Sequence, residues 1–218
     1  MTEQAEVTAM ALFRRQLLRA GAALPLLIVG SCQLPGSGPP PREFRVTPKT
    51  TFDANLPHVD WALVVDRPGA DPAFDTPRIA RTSGVEVQYY ADASWVDRPP
   101  AMIEPMIIQS FRNSGAIEAV ADRRSDVRPD FMLQTTITAF QAQPTDSGPP
   151  EARVVIAATL MAMPKRQVVG TTEIGRSVPA QAATLDATAA AFDDALGKVL
   201  KRLVEWTLVT GQEARTTS

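Results

Sequence analysis

The chain has one histidine and one cysteine in 218 residues, and these two scarcities remove most hydrolytic and metal chemistry. His58 sits beside Pro57 in a proline-rich stretch, where a lone histidine has the character of a solvated loop residue. No Ser–His–Asp or Cys–His arrangement can be assembled around it. A single cysteine gives neither an intrachain disulfide nor a thiolate cluster for a metal. Glycine-rich phosphate loops are absent. Basic residues are not in excess: 22 Lys and Arg stand against 24 Asp and Glu, a formal net charge of −2. That leaves no electrostatic footprint for nucleic acid. Asp193-Asp194 is an adjacent acidic pair, but neighbours on a helix point about 100° apart, which suits a solvated face better than a metal or acid–base site. These absences predict a protein that is not an enzyme and carries no cofactor.

What is present begins at the cysteine. Arg14, Arg15 and Arg19 precede an apolar run from Ala20 to Gly30, and Ser31 leads into Cys32. A positive segment, a short hydrophobic segment and small residues before a break form the layout of a secretory signal. With cysteine at the break, Val29-Gly30-Ser31-Cys32 resembles the bacterial lipobox, in which cleavage frees the cysteine and its sulfur carries diacylglycerol. The alternative is a short transmembrane anchor with an incidental cysteine, although the apolar run is well under the roughly 20 residues that span a bilayer. Residues 1–31 are therefore expected to be a signal peptide, with Met1 or Met10 as its start. Arg14-Arg15-Gln16-Leu17-Leu18-Arg19 partly matches a twin-arginine signal, but Phe13 stands where Ser or Thr is usual. Gln33 follows the cysteine in place of the aspartate that retains lipoproteins at the inner membrane, which favours the outer one.

Residues 32–58 are expected to be a lipidated cysteine and tether. Pro35, Pro39, Pro40, Pro41, Pro48 and Pro57 fall within it, a density that favours extended polyproline II. A folded domain is expected over 59–211, with 212–218 as a polar tail. Trp61 to Asp66 is an apolar run expected as a buried strand. Arg78 to Arg81 and Val85 to Tyr90 flank Thr82-Ser83-Gly84 as a small hairpin. Ile103, Ile107 and Phe111 recur at helical spacing, with Asp97 as a candidate cap and Pro99-Pro100 in the first turn. Pro105 leaves two starts open, one at the paired prolines and one near Glu104. Ala116 to Val120 resumes as strand, and three further strands follow within 130–143, 153–163 and 167–179 as an antiparallel meander. Thr184 is a candidate cap for a last helix expected to end at Gly211. Its seam of Leu185, Ala189, Phe192, Leu196, Val199, Leu203 and Trp206 suits packing on its own sheet. A coiled coil or partner helix is the alternative, because Leu200, Val204 and Leu208 widen the stripe. The order predicts an α/β fold: a two-layer sandwich with a mixed, largely antiparallel β-sheet and two long helices packed on one face.

The segment Tyr89-Tyr90-Ala91-Asp92-Ala93-Ser94-Trp95-Val96-Asp97-Arg98-Pro99-Pro100 resembles the signature of the ABC-type transport auxiliary lipoprotein family. Pro77-Arg78-Ile79-Ala80 and Asp130-Phe131-Met132-Leu133-Gln134 are similar to that family at the level of pattern, whereas Pro105 departs from its continuous helix. The resemblance implies a non-catalytic lipoprotein on the periplasmic face of the cell envelope. It also implies partnership with an ABC permease and ATPase and with a mammalian cell entry (MCE) domain protein that moves lipid or other hydrophobic solutes. A homo-oligomer is compatible with that role. A structural lipoprotein scaffolding another outer-membrane complex is the competing function. Tyr90 and Trp95 are candidate partner contacts, because aromatics are enriched at interface hot spots; core packing at the strand–helix junction is the other reading for both.

Overall fold

A computed structural model describes residues 40–217; Cys32 and the rest of the expected signal peptide lie outside the described residues. The strands are β1 (Arg42–Phe44), β2 (Val59–Val65), β3 (Gly69–Ala70), β4 (Arg78–Ser83), β5 (Glu86–Trp95), β6 (Ile117–Asp122), β7 (Phe131–Gln143), β8 (Glu151–Ala162) and β9 (Gln167–Pro179). Among the described residues the helices are α1 (Pro99–Ser114) and α2 (Leu185–Thr217). The predicted hairpin is β4–β5, antiparallel, with Gly84 at φ +59° supplying the left-handed turn residue.

Strand β7 organises the sheet. One of its edges pairs with β8 from Phe131 to Gln143. The other edge is shared in succession by β2 at Phe131–Leu133, β3 at Thr136–Ile137 and β4 at Gln141–Ala142. The long ladders β7–β8 and β8–β9 are antiparallel as predicted, and the short pairings on the opposite edge are parallel. Both helices pack on the sheet, α1 against β2 and β6 and α2 against β8 and β9, and they touch each other. The result is the two-layer α/β sandwich.

Helix α1 starts at the paired prolines, which occupy its first turn where no backbone donor is needed. Asp97 does not cap it: its Oδ1 accepts from the Arg98 amide at 2.7 Å, and the N-cap position belongs to Arg98. Ile103, Ile107 and Phe111 are fully buried, whereas Pro105 lies exposed. On that solvent side, water can satisfy the carbonyl left without a partner, so the helix runs through. Gly115 closes it at φ +62°, its N–H donating to Arg112 O.

Helix α2 is capped by Thr184, whose Oγ1 accepts from the Ala187 amide at 3.3 Å. Phe192, Leu196, Val199 and Leu203 are fully buried, and so are Leu200, Val204 and Leu208. The widened stripe is therefore consumed inside the protein's own core. Gly211 is no terminus: α2 continues to Thr217, about 50 Å in all. A Cβ at Gly211 would lie 2.6 Å from Trp61 Cζ2, so this glycine admits the buried indole of β2 against the helix backbone.

The proline-rich stretch expected as tether through residue 58 is docked from Arg42 onward. Prolines keep it out of regular structure after β1, but they do not stop it from packing. Val46 is buried, and Phe52 and Leu56 pack on the core.

Candidate functional site

The Tyr89–Pro100 segment forms the joint between β5 and α1, and its two candidate contact residues part ways there. Trp95 is 2 % exposed. Its ring lies 5.1 Å from Phe140 of β7 and 5.2 Å, edge-on, from Phe192 of α2, while Phe140 and Phe192 are 5.0 Å apart. Its amide donates to Pro77 O at 2.6 Å. Trp95 is thus a core residue, and a side chain so enclosed offers no contact surface; burial of the largest apolar ring available outweighs its value at an interface. Tyr89 is half-buried, its hydroxyl donating to Ala73 O at 3.1 Å and its ring covered by the Arg78 guanidinium at 4.0 Å.

Tyr90 is only half-buried and opens onto a cavity of about 240 Å³. The cavity lies where β4, β5 and β7 meet, beside the loop joining β7 to β8. Arg81, Gln143 and Tyr90 line it with Ala142, Pro144 and Ala183. Arg81 was not singled out by sequence. The hairpin pattern contains the signal, because Arg81 faces Gln88 in the antiparallel register and Tyr90 is two residues further along β5.

The second feature is the docked segment of residues 42–56, a strap across both helices. The Arg42 guanidinium pairs with Asp186 at 2.5 Å, near the start of α2. The Thr47 amide and hydroxyl both donate to Asp193, at 2.6 and 3.0 Å. The Lys49 amide donates to Ser110 Oγ of α1, and Asn113 Nδ2 donates to Lys49 O, each at 2.9 Å. Asp53 pairs with Lys201 at 2.8 Å. The hydrogen bond and charge of Arg42 hold Asp186 below the ordinary carboxylate value, and Lys201 does the same to Asp53. The adjacent acids Asp193 and Asp194 therefore serve separate ends, the first holding the strap and the second pairing with Lys198 at 2.9 Å. Sequence spacing gave no sign of the strap, because its partners lie about 60 to 150 residues away.

Among the described residues no group of three His, Cys, Asp or Glu side chains could hold a metal ion. No helix among them is long and apolar enough to cross a membrane. Asp122 and Arg124 pair at 2.8 Å, and Arg123 pairs with Asp66 at 2.9 Å, so the mixed-sign loop after β6 is occupied in surface contacts.

Residues 45–204 match the family described as ABC-type transport auxiliary lipoprotein component. The crystal structure of protein XCC0632 from Xanthomonas campestris superposes with a TM-score of 0.76 at 31 % identity, covering 80 % of this chain and 99 % of that one. A crystal structure of another uncharacterized protein gives a TM-score of 0.55 at 14 % identity over 83 % of this chain and 100 % of that one, a likeness of fold alone. An uncharacterized Bradyrhizobium diazoefficiens protein, bll6063, is 26 % identical over an alignment of 207 positions that covers 90 % of this chain and 53 % of that protein. The chain thus spans about half the length of that relative. The match from residue 45 also places most of the strap inside the family's domain. This chain belongs to the ABC-type transport auxiliary lipoprotein family.

Proposed function

Starting from that membership, we propose that the protein is a non-catalytic envelope lipoprotein, anchored through an acylated Cys32. It assists an ABC transport system by docking an MCE-domain protein and its permease and ATPase, and the cargo is lipid or another hydrophobic solute. The family match carries this reading, and the lipobox-like Val29-Gly30-Ser31-Cys32 supports it. A lipid anchor confines the domain to one membrane surface and raises its effective concentration near any partner held in the same space. Gln33 favours the outer membrane, with the domain on the periplasmic face. Because the strap docks from Arg42, the chain between Cys32 and β1 is nine residues with a contour length of about 30 Å. That is a short leash, not the long tether expected from proline content.

The test is affinity purification of the tagged, lipidated protein from cross-linked membranes, with Cys32→Ala as control. Recovery of an MCE-domain protein with its ABC permease, weakened in the control, is the expected result. Recovery of outer-membrane or cell-wall proteins alone would sink the transport role in favour of a scaffold.

A further inference from the structure

The cavity at Tyr90 brings together three side chains with unspent hydrogen-bonding capacity. Arg81 makes no ion pair and no hydrogen bond among the described residues, and the same holds for the Tyr90 hydroxyl and the Gln143 amide. Thr145, also on the lining, is already committed: its Oγ1 accepts from the Gly148 amide and donates to Pro149 O, each at 3.1 Å, which shapes the loop that walls the cavity. The acids flanking this region in the chain, Asp146 and Glu151, neither line the cavity nor pair with Arg81. Of the other arginines among the described residues, Arg42, Arg98, Arg123, Arg124, Arg202 and Arg215 spend their charge on a carboxylate in ion pairs.

An unpaired guanidinium beside a phenol and an amide, set against small apolar walls, is arranged for an anion. The planar fork suits two oxygens of one tetrahedral or planar group, and the phenol and amide add direction. Size narrows the class. At about 30 Å³ per water, the cavity holds the volume of roughly eight waters, below the roughly 300–1,000 Å³ of sites for drug-sized ligands. It admits a headgroup. An extended peptide fits less well, because β4 is paired on both edges at Arg81, with Gln88 of β5 and Ala142 of β7. At Arg81 neither edge of β4 is free for main-chain pairing.

We propose that this cavity binds a phosphate-bearing headgroup. Arg81 takes the charge, Tyr90 and Gln143 donate to the phosphate oxygens, and Ala142, Pro144 and Ala183 bracket the carbon stem. The proposal goes beyond the transport role and needs no partner protein, so the two stand or fall separately.

The experiment titrates the full lipidated chain, held in nonionic detergent, with four probes by calorimetry. These are dihexanoyl phosphatidylglycerol, dihexanoyl phosphatidylcholine, glycerol 3-phosphate and acetyl-Ala-Ala. The expected result is saturable, one-to-one binding of the phosphatidylglycerol, weakened about 10- to 100-fold in Arg81→Gln, as loss of a charge-assisted hydrogen bond requires. Arg81→Lys should recover part of the affinity and Tyr90→Phe should lose a smaller factor. Unchanged melting curves will show that these variants still fold. Binding of glycerol 3-phosphate as well would identify a soluble phosphate ester as a sufficient source. Binding of phosphatidylglycerol without it would identify a lipid headgroup. Absence of saturable binding by all three phosphate-bearing probes overturns the proposal. So does affinity unmoved by Arg81→Gln, or a clear preference for the peptide carboxylate.

Discussion

The two faces of α2 are held by opposite means. Its inner face presents a continuous stripe from Ala191 to Leu208, nearly all of it without solvent exposure, against β8 and β9. Its outer face is crossed by the strap, which holds on through single polar contacts at Asp186, Asp193 and Lys201, with Val46 as its one fully enclosed apolar anchor. The inner contact is driven by apolar area, which is additive, insensitive to pH and repaid wherever the stripe is covered. The outer contact depends on hydrogen bonds and exposed ion pairs, whose net value is small because water competes for the same groups. The strap should accordingly open locally well before the sheet and helices come apart.

Substitutions on the two faces should separate them. The largest effect is expected for Phe192→Ala, which empties the centre of the Trp95–Phe140–Phe192 cluster. Truncating a buried phenylalanine costs about 3–5 kcal/mol, and denaturant unfolding followed by tryptophan fluorescence should record a loss of that size. Gly211→Ala comes next. Its new Cβ meets an indole that is itself fully buried, so overpacking of about 1–3 kcal/mol should outweigh the roughly 1 kcal/mol that alanine gains as a helix former. A net loss of up to about 2 kcal/mol in thermal or chemical melting is expected. A stabilised variant would show that Trp61 is free to move.

On the outer face, Asp193→Ala removes the acceptor of both Thr47 bonds. Global stability should fall by only about 1 kcal/mol. Amide exchange at 42–56 should nevertheless accelerate while β7–β9 stays protected. Uniform acceleration over the whole domain would mean that strap and core unfold as one unit. The smallest effect is on pH. The folded-state pKa of both Asp186 and Asp53 lies below the ordinary value of 3.8. Between the folded and ordinary values, the unfolded chain binds more protons, so stability there rises with pH. The contribution of the strap pairs is complete at neutral pH, starts to fade as pH drops toward 3.8, and is lost on passing through the lowered values. Protection of 42–56, taken against the intrinsic exchange rate at each pH, should therefore fall below about pH 4, and equal protection at pH 7 and pH 3 would show that the ion pairs contribute nothing to docking.

Legibility in the sequence followed the same division. The stripe of α2, the β4–β5 hairpin, the β7–β8–β9 meander and the apolar face of α1 were all visible, because burial on one face imposes a repeat that spacing records. The strap was hidden for the reverse reason: proline density describes backbone stiffness and says nothing of where a stiff segment lies. Gly211 misled in the same way. Near a helix end it has the look of a stop, and only the position of Trp61, 150 residues earlier, makes it a packing glycine. Tyr90 and Trp95 sit five residues apart in one strand, and their sequence context gave them a common role. Their odd spacing puts them on opposite faces of β5, Trp95 buried in the core and Tyr90 on a cavity.

The sequence by itself determined the class of fold, the pattern of its longer elements, the resemblance to the family and the poverty of histidine and cysteine, since each rests on residue type or on local repeat. Tertiary structure alone decided that the proline-rich segment is a strap, that Trp95 is core, and that Arg81, Tyr90 and Gln143 share one cavity. Those facts arise from contacts between residues far apart in the chain, and the closure of such contacts depends on the whole sheet being in place.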